Sequence, residues 1–185
     1  GDSVTTIGNK AFYGCSSLTS VTIPDSVTTI GGSVFAYCSS LKEFNGKFAA
    51  DGGHCLIIDG VLDAFALGCG ATQYTIPDSV TKIGGSAFAR CESLTSVTIG
   101  NSVTTIISNA FEGCKSLTSV TIGDSVTTIG SGAFEYCSRL KAVYCKPKTP
   151  PTGGIWMFDD NASDRKIYVP ASGDDSIINA YKAKE

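Results

Sequence analysis

The stretch Cys15-Ser16-Ser17-Leu18-Thr19-Ser20-Val21-Thr22-Ile23-Pro24-Asp25-Ser26-Val27-Thr28-Thr29-Ile30-Gly31 is written again, almost letter for letter, at residues 91–106 and 114–130. Three markers give one period. Cys15 to Cys38, Cys91 to Cys114 and Cys114 to Cys137 are each 23 residues, as are Val4 to Val27, Val80 to Val103 to Val126, and Phe12 to Phe35. A fixed period of this size is the mark of a solenoid, in which each unit buries its apolar edge only against its neighbours. Within a unit, Val21, Thr22 and Ile23 alternate as a half-exposed strand should. Pro24 and Asp25 turn the chain, and the β-branched residues 26–30 read as a second short strand. Residues 33–37 are expected to make a helical or 3₁₀ turn that buries Phe35. Phe12, Phe88, Phe111 and Phe134 hold the same slot and should stack as an aromatic spine.

The interval from Cys38 to Cys91 is 53 residues, or 23 plus 30, so one irregular coil is written into the array at 46–76. Residues 55–58 and 61–65 are two apolar runs joined by Asp59-Gly60, a hairpin signal; the hairpin is expected to project from the solenoid or pack against it. Gly68 stands in the cysteine slot there and Cys69 is one place off, so the cysteine series should break at this coil. Near the C-terminus the frame returns: Leu140, Val143 and Cys145 take the slots of Leu18, Val21 and Ile23, Met157-Phe158 match Ala11-Phe12, and residues 167–170 match 21–24. Asn161 falls where Cys15 does. Residues 146–185 read as a capping region, with a proline-stiffened connector at 146–151, a last strand, and a short polar helix at 176–184. The expected fold is a single β-rich solenoid of about seven coils spanning 1–185.

Cys15, Cys38, Cys91, Cys114 and Cys137 share one slot, and Asn161 continues it. Identical slots stack about 4.8 Å apart, with parallel side-chain directions that do not suit the disulfide dihedral. A buried thiol ladder is expected rather than bridges, so the eight cysteines do not report the redox compartment. With 14 Lys+Arg against 17 Asp+Glu and no basic run, the chain lacks the field that nucleic acid or anionic lipid requires. No apolar run is long enough for a spanning helix, and direct membrane insertion is not expected. Gly1 stands partway through a unit, as in a fragment of a longer protein, so the lack of a signal segment carries little weight.

Residues that could carry chemistry are few. His54, the one histidine, sits at the mouth of the hairpin and reads as a solvated loop residue. Residues 159–164 place oxygen ligands at alternate positions like a calcium loop, but lack its glycine and its distant glutamate, and register makes Asn161 a ladder residue instead. No cofactor or metal is expected. The surface remains: Ser20, Ser96 and Ser119 form one outward row, and Thr22, Thr75, Thr98 and Thr121 another. The rows change at Lys42, Glu43 and Asn45, and where Tyr144 and Tyr168 replace threonine. Hot-spot residues are mostly Trp, Tyr and Arg; if the chain binds a partner directly, these five positions are the candidate binding surface, and solvated strand residues are the plainer reading of them.

The phrase Ile-Pro-Asp-Ser-Val-Thr-Thr-Ile-Gly, the Ala-Phe pair and Cys-Ser-Ser-Leu-Thr-Ser-Val-Thr-Ile closely resemble the BspA-like leucine-rich repeat family of bacterial surface proteins. The resemblance extends to the hairpin and to the closing 167–170 and 180–182. It implies a right-handed leucine-rich repeat solenoid and a secreted or cell-surface location. It also implies a non-enzymatic, adhesin-like interaction with host glycoproteins such as fibronectin and fibrinogen, by a chain expected to be monomeric. No ligand residue carries over, because the matching positions are structural. A spacer that only presents another domain is the alternative reading.

Overall fold

The computed structural model describes residues 3–171 together with Ser176, Ile177 and Asn179. Their strands follow in order as β1 (Thr6–Ile7), β2 (Ser20–Ile23), β3 (Thr29–Ile30), β4 (Glu43–Gly46), β5 (Ala49–Ala50), β6 (Cys55–Ile58), β7 (Val61–Phe65), β8 (Gln73–Thr75), β9 (Lys82–Ile83), β10 (Ser96–Ile99), β11 (Thr105–Ile106), β12 (Ser119–Ile122), β13 (Thr128–Ile129), β14 (Ala142–Cys145), β15 (Thr152–Gly153) and β16 (Lys166–Tyr168). They wind as a solenoid of about seven turns. Each regular coil contributes one longer strand and, after a turn, one two-residue strand.

Register follows the repeat. In β10 and β12, Ser96 lies beside Ser119, Val97 beside Val120, Thr98 beside Thr121 and Ile99 beside Ile122. Alternation sends Val97, Val120 and Val143 inward, where they are at most 2% exposed, while the hydroxyl residues between them face out. Because every unit repeats the same apolar slots, the inward side chains form columns: Leu94, Leu117 and Leu140 make one and Val80, Val103 and Val126 another, all buried. Phe88, Phe111 and Phe134 stack with centroids 4.7 and 5.1 Å apart, and Phe134 continues onto Phe158 at 5.4 Å.

The third side of each coil is not helical, and here the sequence expectation is corrected. Ser33 and Tyr37 have φ of 54° and 63°, left-handed values that interrupt any helix, and the pattern recurs at Ser86 and Arg90 and at Gly132 and Tyr136. Between them run successive tight turns, with Ala36 N–H donating to Ser33 O and Cys38 N–H to Phe35 O. Alternate amides donate to the next coil instead: Phe88 to Ala110 O, Phe111 to Ala133 O and Phe134 to Met157 O, each at 2.8 or 2.9 Å. A helix would spend those donors within one unit. Here they are spent between units, making a third ladder of bonds along the axis.

The inserted hairpin neither projects from the solenoid nor merely packs on its side. Its turn, Asp59-Gly60, takes φ of 48° and 76°, as a two-residue hairpin of this type requires. Strand β7 pairs in parallel with β9, so the hairpin becomes the edge of a seven-stranded sheet ordered β15-β13-β11-β9-β7-β6-β5. Strands β1 and β3, and β2 and β4, form separate two-stranded sheets, while β8, β10, β12, β14 and β16 form a five-stranded one. The hairpin thus partitions two apolar clusters. Cys55, Leu62 and Phe65 belong to the larger, C-terminal one; Leu56, Ala64 and Ala66 belong to the N-terminal one; Cys69 touches both. Burial on both faces explains why these strands read as nearly continuous apolar runs.

The two parts are also joined on the turn side. Ser33 Oγ donates to Gly85 O at 3.1 Å, Tyr37 Oη to Glu112 Oε2 at 3.1 Å, and the Arg90 guanidinium lies 4.9 Å from the Tyr37 ring centre. Near the C-terminus, β16 pairs with β14 as expected for a last strand. Of the expected closing helix, Ser176, Ile177 and Asn179 are helical, and the rest, with the 180–182 match, lies outside the described residues.

Candidate functional site

Strands β14 and β16 bring the two candidate tyrosines together. Tyr144 and Tyr168 are register partners, and their rings stack with centroids 4.8 Å apart and planes 16° from parallel. Both are 45% exposed. The inward neighbours Val143 and Cys145 are buried, so alternation presents Tyr144 to solvent on a strand fixed from behind. The strand order β16-β14-β12 sets Tyr168 on one side of Tyr144 and Thr121 on the other. The phenol therefore stands as a wall at the end of a floor of Thr75, Thr98 and Thr121, with Ser96 and Ser119 as a parallel row.

Lysines flank this wall. Lys166 precedes Tyr168 by two residues on the same face of β16, and Lys146 follows Tyr144 by two, its amide still in the ladder through a 3.0 Å bond to Ile122 O. Both are exposed, and among the described residues neither enters an ion pair. Lys141 pairs with Asp164 at 3.2 Å. The hydrogen bond from Lys141, aided by Lys166, holds the Asp164 carboxyl below its ordinary range. Arg165 is turned to the cap, donating to Phe158 O at 2.9 Å and Asn161 Oδ1 at 3.3 Å.

The other candidates lie apart. Lys42, Glu43 and Asn45 are exposed at the start of β4 and along it, with Asn45 Nδ2 donating to Glu43 Oε1 at 3.4 Å. Strand β4 pairs with β2 and is not part of the five-stranded sheet that carries the tyrosines, so the five positions do not form one surface. His54 Nδ1 lies 3.9 Å from Asp51 Oδ2, both side chains being about half exposed. Asn161 Nδ2 donates to Phe134 O at 2.7 Å and to Asp159 O at 3.2 Å.

The bond to Phe134 O recurs at three of the ladder cysteines. Cys38 Sγ donates to Phe12 O, Cys114 Sγ to Phe88 O and Cys137 Sγ to Phe111 O, at 3.1 to 3.2 Å, each reaching the carbonyl of the coil before. Cys91 is buried and lies 3.7 Å from Ser93 Oγ, and Cys15 is half-buried. All eight cysteines are thiols rather than disulfides. Burial pushes the Cys38, Cys91 and Cys114 thiols above their ordinary value and Cys55 to about 11. Such groups stay protonated at neutral pH and serve as donors, not nucleophiles.

Sequence reasoning passed over two features. Lys166 occupies the outward slot of Ser20 and Ser119, and the alternation that placed Tyr168 would have placed it too. Trp156, the one tryptophan, holds a left-handed turn position at φ 55° and is 59% exposed beside Ile155 at 62%. Its residue type alone could have marked it as a contact candidate.

Among solved structures, a leucine-rich cell surface protein from Faecalibacterium prausnitzii is 26% identical with a TM-score of 0.69, the match covering 97% of this chain and 54% of that one. A leucine-rich repeat protein from Eubacterium ventriosum is 26% identical with a TM-score of 0.73, covering 91% and 46%. The chain spans about half the length of these two structures. The pneumococcal vaccine antigen PcpA, 16% identical over 98% of this chain and 57% of its own with a TM-score of 0.60, shares the fold. Comparison with curated proteins finds no match. The model of the BspA type leucine rich repeat region matches in six copies, over residues 1–48 and 62–180.

Proposed function

The chain belongs to the BspA-type leucine-rich repeat family, and we propose that it is a non-enzymatic, cell-surface or secreted interaction module that binds a protein or glycoprotein through the exposed face of its five-stranded sheet. The observation that carries this reading is the stacked pair Tyr144 and Tyr168, two hot-spot residues exposed together on a rigid strand face whose other outward positions are mostly serine and threonine. The stack holds both rings in place, which lowers the entropy lost when a partner immobilises them. The cell-surface description of the Faecalibacterium protein supports the location. Host matrix glycoproteins are the partner class this reading favours, met by a monomeric chain without a cofactor.

One observation favours a second reading. The Ser and Thr rows that make up most of the face are weak anchors, as in a spacer that only presents another domain. Binding of the monomeric chain to immobilised fibronectin, fibrinogen and mucin, beside a Tyr144→Ala, Tyr168→Ala double variant, separates the two. Saturable binding that falls at least tenfold in the variant is the expected result. Absence of binding by the parent chain at any concentration supports the spacer.

A further inference from the structure

We infer that the Tyr144 and Tyr168 wall, with Lys146 and Lys166 beside it, is a subsite for an anionic glycan, one bearing uronate or sulfate groups. This rests on the interaction-module reading and names its ligand class.

Three features of one surface converge. Aromatic faces take the apolar face of a sugar ring, and the face of Tyr144 turned away from Tyr168 looks along the sheet over Thr121. The floor it looks over is a lattice of hydroxyls, Ser96, Ser119, Thr98 and Thr121, in register from strand to strand. Strand spacing of about 4.8 Å is close to the length of one sugar ring, so successive rings of an extended glycan would meet successive hydroxyl pairs. Charge supplies the third feature. The whole chain is acidic, at net −3, yet this end of the face carries exposed Lys146 and Lys166 outside any ion pair of the described residues. One nearby carboxylate, Asp164, pairs with Lys141 at 3.2 Å, and Lys166 lies close enough to help hold it ionised. At the far end of this sheet, β8 presents Gln73 and Thr75, neither of them charged. An anionic chain is therefore drawn to the tyrosine end of the face and not to the other.

An acidic peptide would satisfy the lysines but has no use for the row of hydroxyls or for the flat ring face. Nucleic acid would need a broader positive field than two lysines create.

The test is direct titration of the intact chain with chondroitin sulfate, hyaluronan and neutral dextran. Chondroitin sulfate carries sulfate and uronate, and hyaluronan uronate alone. Saturable binding of one or both acidic glycans and none of dextran is expected, and the hyaluronan arm separates carboxylate from sulfate recognition. Tyr144→Ala should weaken binding about tenfold while Tyr144→Phe, which keeps the ring, retains it. Lys146→Gln with Lys166→Gln should reduce both the affinity and its sensitivity to salt. All four positions are exposed, and an unchanged melting temperature in each variant ties any loss to the surface. Equal binding of dextran, or acidic-glycan binding unaffected by these variants, overturns the inference. A parallel arm measures immobilised fibronectin and mucin before and after enzymatic removal of their glycans. Binding that survives glycan removal, with none to chondroitin sulfate or hyaluronan, overturns the glycan inference and leaves the interaction module standing. Binding to nothing in either arm removes both.

Discussion

Asp63 is the extra residue of the hairpin. Strand β6 pairs Leu56 with Ala64 and Ile57 with Leu62, so the register shifts there and Asp63 is bulged between the partners of two neighbouring residues. Burial raises its carboxyl from the ordinary 3.8 to about 6. The native chain therefore holds that proton more tightly than the unfolded chain, and stability rises as pH falls from about 6 towards 4. Asp63→Asn removes the charged form. At pH 7 the variant should be more stable than the parent by about 1 kcal/mol, a figure reduced for solvent screening at this partly open site. At pH 4 the difference should vanish; denaturant titrations at both pH values check it, and equal stabilities at pH 7 would contradict the burial argument. A shared slot placed Cys38, Cys114, Cys137 and Asn161 in one column, whereas their common acceptor, the phenylalanine carbonyl of the preceding coil, is a fact of three dimensions that spacing does not contain.

At the scale of the element, the 23-residue period made the strands, their order and their inward columns legible, because every unit states the same pattern. The third side was misread as helical. Short apolar segments such as 33–37 fit a helical turn locally, and nothing local reveals that their amides are spent on the neighbouring coil. The hairpin strands were legible and their placement was not. Phe65 follows Ala64 and precedes Gly68 by three residues, the spacing of Ala11, Phe12 and Cys15, and this places it in the spine, stacked 4.6 Å from Phe88. Gly68 is glycine for a reason found only in the packing: a Cβ there would lie 2.6 Å from the Ser40 carbonyl carbon and 2.7 Å from its oxygen. The cysteine that the column calls for cannot enter without moving backbone. Gly68→Ala should cost about 1–3 kcal/mol, while Gly32→Ala, which meets nothing within 4 Å, should leave the chemical-denaturation midpoint unchanged. A harmless Gly68→Ala would mean that the two clusters are not held as tightly at the partition as the close approach of Gly68 to Ser40 requires.

On either side of the hairpin, three ladders of hydrogen bonds join successive coils, and side chains in equivalent slots become rows on the surface. Departures from a row stand out in such an array, and Tyr144 and Tyr168 were legible as departures of that kind. Their stacking, the threonine floor beneath the wall and the pairing of Asp164 with Lys141 required the strand order, and the separation of Lys42, Glu43 and Asn45 from the tyrosines followed from the break that the hairpin makes between sheets. On the proposed function, the β14 and β16 end of the five-stranded face is where a partner is held. Hydroxyl-radical footprinting of the chain with and without saturating chondroitin sulfate tests it most directly, because Tyr144, Tyr168, Tyr136, Tyr13 and Trp156 are all exposed and report separately. Protection of Tyr144 and Tyr168 is expected, with Tyr13, Tyr136 and Trp156 unchanged. Protection of Trp156 and Tyr136 on the turn side instead, or of no aromatic residue, would contradict it.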